Sequence, residues 1–81
     1  MSEELEQFKN KCSKLVKDEK YVELLTICET KLEELNKTAP DDKEFLAYIY
    51  FAIGCAKYHL GKYQDAIEDY NKAIELKPDN E

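Results

Sequence analysis

The sequence predicts an all-α fold built of two antiparallel helix pairs. Apolar residues recur at spacings of three and four along most of the chain, which is the period of a helix with one buried stripe. Turn-forming residues such as Pro40 and Gly61 separate these periodic segments, and no stretch alternates apolar and polar residues as a half-buried strand does. With 81 residues, 43% of them apolar and 37% charged, the chain is expected to form one domain over 1–81, or a piece of a longer chain. A core of this size leaves room for a groove or a flat docking face rather than a cleft that encloses a substrate.

The first helix is expected over about 3–18, where Leu5, Phe8, Cys12, Leu15 and Val16 form one stripe. Ser2 is placed to cap it, and Glu3 and Glu4 sit where the helix dipole favours negative charge. After the polar run Lys17-Asp18-Glu19-Lys20, a second stripe of Tyr21, Leu24, Leu25, Cys28, Leu32 and Leu35 predicts a helix over about 20–36. Pro40 disfavours helix before it, and Asp41 with Glu44 three residues on reads as a capping box opening a third helix over about 42–60. Within it, Phe45 to Ala56 is a run of twelve residues without a charge. That is shorter than the roughly 20 residues that span a bilayer, so it marks a central helix buried on several sides. Gly61 is placed to end this helix in a left-handed conformation. Tyr63, Ala66, Ile67, Tyr70, Ala73, Ile74 and Leu76 then define a fourth helix over about 63–76, which Pro78 stops.

Charge narrows the partners. Eighteen acidic residues against twelve lysines, with no arginine, give a net of −6, the opposite of what a phosphate backbone or an acidic lipid surface requires. Neither nucleic acid nor membrane is expected as a partner. Cys12, Cys28 and Cys55 are odd in number and widely spaced, with no C-x-x-C, which points to a reducing, cytoplasmic setting rather than a disulfide framework. The opening Met-Ser-Glu-Glu has neither the basic nor the apolar part of a signal peptide, and Asn36-Lys37-Thr38 reads as a chance sequon.

The two halves repeat. Tyr21-Val22-Glu23-Leu24-Leu25 corresponds to Tyr63-Gln64-Asp65-Ala66-Ile67, an offset of 42 residues, each segment following a short polar turn. In the second copy Tyr50, Ile53 and Gly54, then Gly61-Lys62-Tyr63, Ala66, Tyr70, Ala73 and Pro78 fall at the spacings of a 34-residue pattern. Residues 47–80 thereby resemble a tetratricopeptide repeat, with Gly54, Ala66 and Ala73 as the small residues that let its two helices approach. Residues 5–36 resemble it in outline: Phe8, Cys12, Leu15 and Tyr21 match, whereas Leu24 and Lys31 replace the alanines and Asn36 the proline. About eight extra residues near Thr38 to Leu46 lengthen the connection between the copies.

The resemblance implies a scaffold that binds a peptide or helix of a partner protein in a groove between the first and third helices. Carried over position by position, the groove consists of Tyr48, Phe51, Cys55, Tyr58 and His59 from the second copy with Lys9, Ser13 and Lys17 from the first. That set is an aromatic floor beside a basic edge, suited to an acidic or C-terminal segment with an apolar anchor; the alternative is that the rings pack against the lengthened connection. Relatives that hold the C-terminal carboxylates of large cytosolic heat-shock chaperones use a clamp of Lys and Asn. Lys9 fits it, while Ser13 and Ala52 stand at the Asn positions and a fifth helix is missing. A further alternative is self-assembly, as a homodimer, a helix-exchanged oligomer or part of a longer array, because Tyr63, Ile67, Tyr70 and Ile74 cannot all face the third helix. Cys55 and His59 lie four residues apart on one helical face, but two ligands do not make a metal site, and neither an orienting third residue nor a Gly-rich phosphate loop accompanies them. No cofactor and no catalytic residue is expected, and the chain reads as a binding protein rather than an enzyme.

Overall fold

The computed structural model describes residues 3–77. Four helices follow one another: α1 (Glu3–Lys17), α2 (Tyr21–Thr38), α3 (Lys43–His59) and α4 (Tyr63–Leu76). No strand occurs among the described residues. The predicted boundaries agree to within two residues, and the expected cap at Ser2 and stop at Pro78 lie outside the described residues.

The connection between α2 and α3 differs in detail from the expectation. Helix α2 runs on to Thr38, whose hydroxyl donates to the Glu34 carbonyl at 3.0 Å, and Ala39 N–H still reaches the Leu35 carbonyl at 2.7 Å. Pro40 then ends it. The cap of α3 is Asp42 rather than Asp41: its Oδ1 accepts from Phe45 N–H at 3.2 Å. Asp42 N–H closes a turn onto the Ala39 carbonyl at 3.1 Å, and this turn leaves Asp42, not Asp41, three residues before an unpaired helix N–H.

The turns inside the two helix pairs are copies of one another. Gly61 adopts φ +85°, as expected, and Glu19, which occupies the corresponding place 42 residues earlier, is also left-handed at φ +59°. Lys20 N–H reaches back to the Leu15 carbonyl and Lys62 N–H to the Lys57 carbonyl, both at 2.8 Å; Glu19 N–H bonds Val16 and Gly61 N–H bonds Tyr58. This is the Schellman arrangement, and only one of its two occurrences has the glycine that tolerates it. Glu19→Gly is expected to raise the unfolding free energy by about 1 kcal/mol, because a side chain is removed from a strained backbone conformation. Urea denaturation followed by far-ultraviolet circular dichroism measures it, and an unchanged or lower midpoint contradicts it.

The core forms around α3, which packs against α2 on one side and α4 on the other; α1 makes the slighter contact with α2. Buried Phe45, Leu46, Ile49, Ala52, Ile53 and Ala56 from α3 meet Leu5, Phe8 and Cys12 of α1 and Leu24, Cys28 and Leu35 of α2. This burial on several sides accounts for the long uncharged run. Against α4 the approach is closest at Gly54, where an added Cβ would lie 2.8 Å from Tyr70 Cε1 and 3.2 Å from the Ala66 carbonyl oxygen. Ala66 is buried there, and Ala73 is partly buried one helical stretch further on. Lys57 and Asp69 add an ion pair at 3.0 Å between the same two helices.

In the first pair, Cys12 and Cys28 occupy the positions that Gly54 and Tyr70 hold in the second. Their sulfurs are 4.0 Å apart and both residues are buried. One pair nests a ring over a glycine and the other sets two mid-sized side chains against each other, so both fill a comparable space at the crossing.

Candidate protein-binding groove

A groove of about 340 Å³ runs between α1 and α3, lined by Ser13, Val16 and Lys17 on one wall and by Tyr48, Phe51, Ala52 and Cys55 on the other. Cys12 and Leu24 form its base. The helical repeat explains the composition: Tyr48, Phe51 and Cys55 are spaced three and four apart on the side of α3 turned away from α2, and Ser13 and Lys17 are spaced four apart on α1.

Five of the eight residues singled out in the sequence therefore line one groove: Ser13, Lys17, Tyr48, Phe51 and Cys55. Lys9 stands at its end, with Nζ 5.5 Å from the centre of the Tyr48 ring, and lines the neighbouring groove between α3 and α4. Tyr58 and His59 lie elsewhere. His59 stacks flat on Tyr21 of α2 at 4.3 Å with a 7° interplanar angle, and Tyr58 packs edge-on against Tyr63 of α4 at 5.2 Å. Position-by-position transfer places these two on the groove because the helical face continues to them. The Tyr21 ring and the turn after α3 draw them aside. Conversely, Val16 and Ala52 line the groove but carry no polar atom that marks them in a sequence.

The floor is aromatic and connected. Tyr48 meets Phe8 edge-on at 6.3 Å and Phe51 at 6.4 Å, and Phe51 in turn lies 5.8 Å from Tyr70. Phe51 is 53% exposed, so about half of a large ring faces the groove mouth without cover. Burial, and then the adjoining Cys12, push the Tyr48 hydroxyl above its usual pKa, and burial does the same to the Cys55 thiol. Both stay protonated near neutral pH, so the floor is uncharged. Cys28 is raised by its contact with Cys12 and by burial, while the same contact lowers Cys12.

Positive charge is confined to the edge. Lys17 is exposed at the far end of the α1 wall and Lys9 is partly buried at the near end. Lys31, on the opposite side of α1, is committed to Glu34 at 3.1 Å and Glu4 at 3.4 Å. Among the described residues, no group of three His, Cys, Asp or Glu side chains is placed to hold a metal ion, and no helix is long and apolar enough to cross a membrane.

Paired helices with a Schellman turn, a glycine crossing and small residues along the contact define a helical-hairpin repeat protein. Residues 47–80 match the family model described as Tetratricopeptide repeat, so this segment is similar to that family. No curated protein and no solved structure is significantly similar to the chain. Tetratricopeptide repeats are in general protein–protein interaction modules.

Proposed function

We propose that this chain is a protein-binding module, not an enzyme, that holds an acidic or C-terminal segment of a partner protein in the groove between α1 and α3. The observation that carries this reading is the half-exposed Phe51 ring on an uncharged floor with Lys9 and Lys17 at the two ends of one wall. An apolar anchor covers the ring. Carboxylates of the segment then meet ammonium groups at the rim, where exposed charge pairs contribute about 0–1 kcal/mol each and mainly set selectivity. The chaperone-tail clamp is not supported by the side chains present, since Ala52 is buried and offers only a methyl group where an amide is needed.

The test uses fluorescein-labelled extended peptides that end in two acidic residues and a free carboxylate behind one leucine, titrated with the full chain by anisotropy. Ser13→Trp fills the groove from an exposed position, and Lys17→Glu reverses charge at its rim. Each is expected to weaken binding about tenfold or more while the helical circular dichroism stays unchanged. Retention of full affinity by both variants removes the groove from the reading.

A further inference from the structure

The crossing of α1 and α2 sets two thiols side by side. Cys12 Sγ and Cys28 Sγ are 4.0 Å apart, and the residues are buried, at 1% and 0% exposure. A disulfide closes such a gap to about 2.05 Å, a movement that side-chain rotation with a small slide of one helix supplies. Helix α1 is the one free to slide, because its contact with the rest of the fold is the slightest. The matching crossing of α3 and α4 is filled by Tyr70 over Gly54, so close packing at this place does not itself require sulfur.

The surroundings give the two sulfurs different roles. Cys12 forms part of the base of the α1–α3 groove, whereas Cys28 does not line it. A small oxidant that enters the groove therefore meets Cys12 first. The Cys28 contact holds the Cys12 thiol below its usual pKa, against the opposing effect of burial, and the Tyr48 hydroxyl is a second donor to the same sulfur. That favours the thiolate, the form that reacts. Cys28 is raised by the same contact and by burial, so it keeps its proton until Cys12 has reacted. Cys55, on the facing wall of the groove, is the competing partner.

We propose that Cys12 and Cys28 form a reversible oxidation site at which hydrogen peroxide joins α1 to α2 through a disulfide. The Cys12 thiolate attacks one peroxide oxygen; the S–O bond forms, the O–O bond breaks, and the departing hydroxide takes up the proton that the thiol released. The Cys28 sulfur then attacks the Cys12 sulfenic acid. The S–S bond forms, the S–O bond breaks, and the hydroxyl leaves with the Cys28 proton as a second water. In all, the two thiols give up two electrons and one peroxide becomes two waters. A dithiol reductant reverses the link by exchange. Such a bond is transient rather than structural, in keeping with an odd number of widely spaced cysteines. It fastens the helix that the fold holds least, and by joining residues 16 positions apart it also restricts the unfolded chain. The site does not depend on the α1–α3 groove having a ligand.

The full reduced chain is treated with excess hydrogen peroxide at neutral pH, quenched with catalase and unfolded for thiol titration. One thiol is expected to remain of the three in the chain, and peptide mass mapping is expected to join Cys12 to Cys28. The linked chain is expected to melt about 5 °C or more above the reduced chain by circular dichroism, and dithiothreitol restores the lower value. Cys55→Ser forms the same link. Cys28→Ala forms none; should that variant not fold, mapping of the unsubstituted chain decides by itself. Three thiols left intact, a link to Cys55, a link between chains, or oxidation of single sulfurs without a link overturns the proposal. So does a Cys12–Cys28 link that leaves the melting temperature unchanged or lower, by showing that the two thiols only pack.

Discussion

Phe45→Ala is expected to lower the unfolding free energy by about 3–5 kcal/mol, the range for deleting a buried ring and leaving a cavity. Phe45 is 1% exposed, heads the largest fully buried side chains, and sits 5.7 Å from Phe8 in the core to which α1, α2 and α3 all contribute. A chain of this length has roughly 0.05–0.15 kcal/mol of stability per residue, so the loss is comparable with the total. The variant is therefore expected to be near its unfolding midpoint at room temperature, with α1 the first element to detach because it holds the least contact. Urea melts of the parent and the variant, read by circular dichroism, give the difference directly. A loss below about 1 kcal/mol contradicts the central place assigned to this ring.

Gly54→Val is expected to cost about 2–3 kcal/mol through overpacking. The gain in helix propensity on leaving glycine, of about 0.5 kcal/mol, does not offset it. An added Cβ meets two carbons of the Tyr70 ring at 2.8 and 2.9 Å, and valine adds two methyl groups beyond that. The Ala66 carbonyl at 3.2 Å prevents relief by a slide of α4 along α3. Tyr70→Leu in the same molecule removes the obstructing ring and is expected to recover at least half of the loss. Thermal melts of both single variants and the double variant form the cycle. Additivity of the two substitutions contradicts the contact.

The helices were legible because burial on one side imposes a period that polar faces preserve. Leu5, Phe8, Cys12 and Leu15 need no tertiary information to share a stripe. Gly61 was legible as a left-handed stop. Its counterpart Glu19 was not, since nothing in glutamate signals a positive φ; only alignment of the two turns reveals it. Asp41 and Asp42 both fit a cap within reach of a helix start, and the turn closed by Ala39 decides between them. In the groove, helical spacing placed Ser13, Lys17, Tyr48, Phe51 and Cys55 together. The same spacing extended to His59 and Tyr58, which are drawn away by stacking on Tyr21 and by edge-on packing against Tyr63, respectively. Their partners come from other helices, where no period along one helix reaches.

Four helices, their pairing by short turns, the duplication at 42 residues and the small residues at the α3–α4 crossing are readable along the chain alone. Each of these follows from local backbone preference or from a period along one segment. Packing in three dimensions sets α3 between α2 and α4, brings Cys12 and Cys28 to the place of the glycine and tyrosine of the other pair, and leaves the apolar face of α4 open while its α2 counterpart is covered. The reason is that burial depends on which neighbour arrives. The stripes on α2 and α4 are alike in sequence pattern, and the presence of α3 over one of them alone makes one a core and the other a surface.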